Sequence, residues 1–145
     1  MVTRCNLSSH DDSLSVNQPK YRFMIGSLLY LTGTRPNIMH VVGIVGWFQE
    51  NPKETHLHAV KRIFNYLQGT QDFVLWYPKD VDFSLHAYTD VDWAGNLDDR
   101  KSISGGEFYL GPRLVSWFRK KQSSIALSTA EVEYVVDAYC CTPLL

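Results

Sequence analysis

Up to Gly69 the apolar residues of this chain recur at three- and four-residue intervals, and beyond it they come in short runs broken by turn residues. A helix shows one face every 3.6 residues and a strand every second one, so neither element alone accommodates both halves. The change of period therefore predicts an α+β chain, with a small helical subdomain over residues 19–70 and a sheet-bearing region over 71–145. At 145 residues, 45% hydrophobic and 13% aromatic, the chain has enough apolar surface to bury a core.

Within the first half, Tyr21, Met24, Ile25, Leu28 and Leu31 predict a helix that stops at Gly33, and Pro36 opens a second one bearing Ile38, Val41, Val42, Val45 and Phe48. Asn51 as N-cap, Pro52 at the first helical position and Glu54 as capping-box partner predict a third, with the stripe Leu57, Val60, Phe64 and Leu67. Residues 1–18, rich in Ser, Asn and Asp, are too polar to offset the entropy of ordering and read as a disordered tail. In the second half, Phe73–Tyr77 and Phe83–Asp90 read as strands, and "GGEFYLG" and "LVSWF" as a hairpin turning at Gly111–Pro112. A last helix starts at the Ser128–Thr129 cap.

Charge and cysteine usage exclude several classes. Fourteen basic and 15 acidic residues leave a net charge of −1, so no global field draws the chain to nucleic acid or anionic membrane. Cys5, Cys140 and Cys141 are odd in number, two of them adjacent, and read as reduced thiols rather than a disulfide framework. The first 20 residues lack the apolar run of a secretory signal, and "IMHVVGIVGWF" falls short of the roughly 20 residues that cross a bilayer.

One stretch concentrates chemistry. "YTDVDWAGNLDDRKS" holds Asp90, Asp92, Asp98 and Asp99 and runs straight into Arg100 and Lys101. On a strand Asp90 and Asp92 share a face, a start for a Mg²⁺ site because hard cations take carboxylate oxygens. The same residues equally suit a solvated turn. Arg119, Lys120 and Lys121, beside Trp117, could meet a phosphate backbone or simply face water. His56 and His58 stand two apart on a helix and point away from each other, which does not suit a shared metal. Ser128 and Thr129 suit a cap better than a nucleophile.

Four runs, "YRFMIGSLLYLTGTRPNI", "AVKRIFNYLQGT", "YTDVDWAGNLDDRKSISG" and "SSIALSTAEVEYV", together resemble the polyprotein of copia-type retrotransposons, at the end of its reverse transcriptase and the start of its ribonuclease H domain. That resemblance covers residues 19–140 and implies a truncated ribonuclease H-like unit of antiparallel strands plus the first helix. Ribonucleases H hold two divalent ions with four carboxylates. The first of these falls on Asp90 and the second on Glu133; the other two are expected beyond Leu145. The resemblance thus implies a vestigial site, Asp90 and Glu133 with Asp92 as an optional third ligand, no nuclease activity, and no cofactor unless Mg²⁺ still binds there. Val91 and Ile103 depart from the residues usual in the family.

Short stand-alone chains of this kind are also similar to the secreted RxLR-class effectors of oomycete plant pathogens, although no Arg-x-Leu-Arg string occurs here. By that resemblance the chain would be a non-catalytic, secreted effector that suppresses plant defence and cell death inside the host cell. Its partner would be a host protein, with no membrane and no nucleic acid. The alternatives are an inert retrotransposon relic and a fragment with residual affinity for an RNA/DNA hybrid, for which Arg119, Lys120 and Lys121 would be the contacts.

Overall fold

The computed structural model describes residues 7–93, 95 and 98–141, without the side chains of Tyr139 and Cys141. It has four helices and one three-stranded antiparallel sheet, an α+β fold. The chain divides into two compact units, residues 1–74 and 75–145.

The first unit is a three-helix cluster. α1 (Gln18–Leu31) starts where the Asn17 side chain accepts from the Lys20 N–H at 2.9 Å, with Pro19 in its first turn. α2 (Pro36–Gly46) opens on a proline, whose missing N–H costs nothing at that position. α3 (Glu54–Gln68) closes the cluster. Tyr21, Ile25 and Leu28 from α1 meet Ile38, Val42 and Val45 from α2 and Ala59, Val60 and Ile63 from α3, all buried. Tyr21 brings a polar tip into this cluster, and its hydroxyl donates to the Val45 carbonyl at 2.8 Å. Burial pushes the Tyr21 phenol well above its ordinary range.

Three expectations change in this unit. α3 begins at Glu54, later than the Asn51 cap implies, and its first turn is closed by the His56 ring, whose Nδ1 accepts from the Lys53 N–H at 3.0 Å. The buried face of α3 is His56, Ala59, Val60 and Ile63, so Phe64 is left 37% exposed. A satisfied histidine is as good a core residue as an aromatic one, and the stripe rotates to include it. Finally, residues 7–17, inside the stretch expected to be a disordered tail, lie along α3: Val16 N–H donates to Pro52 O at 3.0 Å and Glu54 N–H to Leu14 O at 2.9 Å.

In the second unit β1 (Leu85–Asp92), β2 (Ile103–Leu110) and β3 (Arg113–Lys121) lie in that order. Gly111 turns the β2–β3 hairpin at φ +60°, and a Cβ there would stand 2.1 Å from the Asp82 carbonyl oxygen, so only glycine fits. α4 (Thr129–Cys141) starts with Ser128 Oγ accepting from the Glu131 N–H at 3.2 Å. Its Val136 and Cys140 pack on Phe108, with Val91 and Phe118 alongside. Cys140 is buried, while Cys5 and the Cys141 side chain lie outside the described residues.

The expected strand Phe73–Tyr77 does not form: its residues join no ladder, although the Phe73 N–H donates to Thr70 O at 3.2 Å and the Tyr77 hydroxyl to Leu114 O at 2.8 Å, and Phe73, Val74 and Trp76 are exposed. β-branched and aromatic composition suits a strand, but only a ladder makes one. β1 starts two residues later than the alternation suggested. Trp76 and Trp93 are exposed.

Candidate functional site

The site is built on the register of the sheet. Asp90 pairs with Gly105 on β2, and Gly105 pairs with Arg119 on β3, so the three residues form a row across the strands. Alternation puts the Asp90 and Arg119 side chains on one face with only a glycine between them. Arg119 crosses that gap, and its Nη2 donates to Asp90 Oδ2 at 3.0 Å. The carboxylate is 68% exposed and the guanidinium side chain 27%. Asp92 shares this face, whereas Thr89 turns to the other one, where its hydroxyl donates to Asp137 Oδ1 of α4 at 3.4 Å.

A second ion pair closes the acidic stretch. Lys121 Nζ lies 2.6 Å from Asp99 Oδ2. Burial pushes the Asp99 carboxyl up, but the bond from Lys121, the Lys101 N–H and the two lysine charges outweigh it and hold the group below its ordinary range. Arg100 adopts φ +56°, which carries the chain out of this turn.

Of the residues singled out from sequence, then, Asp90 and Arg119 are brought together, and Lys121 joins Asp99. Glu133 is exposed on α4, and Lys120 is exposed on β3. Among the described residues no group of three or more His, Cys, Asp or Glu side chains is placed to hold a metal ion. Of the carboxylates that would hold a Mg²⁺, Asp90 is bonded to Arg119 and Glu133 is exposed on α4. The pairing of Asp90 with Arg119, 29 residues apart, was not visible in the sequence, because it depends on two ladder registers at once.

What the arrangement amounts to chemically is a self-neutralised surface: two acids of the acidic stretch are held by two bases of the "RKK" run. Each pair partly offsets the charge of its partner, and because the Asp90 carboxylate is 68% exposed the pair is a weak one.

The chain belongs to the copia-type, retrovirus-related Pol family. It is 42% identical over 134 residues to the Retrovirus-related Pol polyprotein from transposon RE1 of Arabidopsis thaliana, and 45% identical over 116 residues to that from transposon TNT 1-94 of Nicotiana tabacum. These cover 92% and 79% of this chain, which spans about 9% of either polyprotein. It is also 40% identical over 116 residues to Secreted RxLR effector protein 161 of Plasmopara viticola, covering 79% of this chain and 82% of that protein. No family model and no solved structure matches the chain.

Proposed function

We propose that this chain is a non-catalytic, copia-derived protein that acts by binding, as a host-directed effector. The observation that carries the reading is one of coverage. The effector relative is matched along 82% of its own length, whereas each Pol polyprotein is matched along about 9%. The likeness to that relative thus runs through most of its chain. The ion pair that occupies Asp90, together with the want of a three-ligand group among the described residues, supports binding over hydrolysis. On this reading Asp90, Asp92 and Glu133 are remnants of a ribonuclease H-like site, and the partner is a host protein. Among the described residues no helix is long and apolar enough to cross a membrane.

A second reading has its own support. The transposon RE1 polyprotein matches at 42%, as closely as the effector at 40%, which is what an inert Pol remnant would also give. Residual binding of an RNA/DNA hybrid has less, because Arg119 and Lys121 are already paired.

Expression of residues 1–145 in plant cells challenged with a cell-death elicitor separates these readings. Suppression that survives Asp90→Asn and Glu133→Gln supports an effector acting through its surface. Suppression lost in both variants shows that carboxylate chemistry persists and overturns the non-catalytic reading, and absence of suppression by every version leaves the inert remnant.

A further inference from the structure

The first turn of α3 holds a histidine that is wholly enclosed. His56 is 0% exposed, and its ring stacks on Phe48 with 3.9 Å between centroids. Both ring nitrogens are engaged: Nδ1 stands 3.0 Å from the Lys53 backbone nitrogen and Nε2 3.1 Å from the Ser8 carbonyl oxygen. A backbone N–H can only donate, so Nδ1 must accept and the ring proton sits on Nε2, where it donates to Ser8. One neutral imidazole therefore joins the start of α3 to the segment over residues 8–17. The rest of that segment is tied to the same turn: the Thr55 hydroxyl donates to Asp11 Oδ2, and Lys53 Nζ to Ser15 Oγ at 3.3 Å.

A second proton on the ring would undo this junction. Nδ1–H would then face the Lys53 N–H, two donors 3.0 Å apart. The cation would also be shut away from water at the positive end of the α3 dipole. Asp11 on the segment is held below its ordinary range by bonds from Thr55 and Ser13 and, last, by the charge of a protonated His56, so it attracts such a ring but does not remove the clash of donors at Nδ1. Lys53 turns its ammonium to Ser15, and Glu54 lies 3.9 Å from His58 on the exposed side of the helix.

We propose that His56 is a pH-operated latch that, neutral, pins residues 8–17 to α3 and, protonated, releases them while the three-helix core stays closed. The sign follows from linkage. The released segment leaves the imidazole free to protonate near its ordinary value of about 6.5, and the latched form resists the proton. Latching is therefore complete above about pH 6.5, and below it the opening constant rises about tenfold per pH unit.

Hydrogen exchange of the 145-residue chain at pH 7.5 and 5.5, corrected for intrinsic exchange rates, reads the opening directly. Amides over residues 8–17 should lose about tenfold of their protection at the lower pH, while those of Tyr21–Leu28 keep theirs. His56→Leu should leave the segment open at both pH values, and His10→Gln and His58→Gln should leave the response intact. The wild-type imidazole spectrum supplies a check that needs no variant: it should show the Nε2–H tautomer at pH 7.5. Equal protection of 8–17 at the two pH values, or a ring that titrates while the segment stays protected, overturns the proposal.

Discussion

Two adjacent glycines in β2 are expected to respond oppositely to the same substitution. A Cβ on Gly106 would stand 2.4 Å from Phe118 Cε1, 2.9 Å from its Cζ and 3.0 Å from Cys140 Sγ. Carbon atoms in contact sit at about 3.5–4.0 Å, so Gly106→Ala must push the Phe118 ring back by about 1 Å and α4 with it. Overpacking of that kind costs about 1–3 kcal/mol, offset by about 0.5–1 kcal/mol for removing a glycine from a strand interior. A net loss of about 1–2 kcal/mol in a unit of this size lowers Tm by about 5–15 °C. On the other face of the strand a Cβ at Gly105 meets nothing closer than 3.7 Å, and Gly105→Ala should be neutral or slightly stabilising. Hydrogen exchange of β2 amides in the full chain reports this unit separately from the helical one. Phe118→Leu should rescue Gly106→Ala with a coupling of about 1 kcal/mol. Equal effects at the two glycines, or no rescue, would refute the reasoning.

Tyr21→Phe removes a buried hydrogen bond to the Val45 carbonyl, which keeps the Phe48 N–H at 3.4 Å, and should cost about 1 kcal/mol in urea denaturation. Because the Tyr21 phenol is raised, its share of stability is full below pH ~10 and falls as pH rises beyond it, which the ultraviolet titration of tyrosinate against unfolding will show. A double-mutant cycle of Asp90→Asn and Arg119→Gln should return a coupling under about 1 kcal/mol, since the carboxylate is 68% exposed. Asp99 is lowered from its ordinary 3.8, so what it contributes is present above that value and is lost as pH falls below about 4; Lys121→Gln should flatten that acid limb.

The elements that sequence shows clearly are those whose signal is local. α1 and α4 announce themselves by a cap and apolar spacing, and the β2–β3 hairpin by a glycine that only a left-handed turn requires. What sequence hides is decided at a distance. His56 scores as polar and Phe64 as apolar, yet Phe64 lies toward water because the histidine finds Lys53 and Ser8 for its two nitrogens. Residues 73–77 have the composition of a strand and no partner to become one. In the candidate site, Asp90 and Asp92 were legible as a same-face pair, but the guanidinium that meets Asp90 belongs to a strand two ladders away.

β1 is paired with β2 alone, so among the described residues its outer row of amides and carbonyls has no ladder partner. An eight-residue edge of this kind is a template on which another copy of the chain can add a strand, the first step of aggregation. Charges near such an edge deter that addition, and the two aspartates at the end of β1 are well placed to do so. Asp90 and Asp92, remnants of a site on the reading above, thus stand where their charge opposes the addition of a further strand.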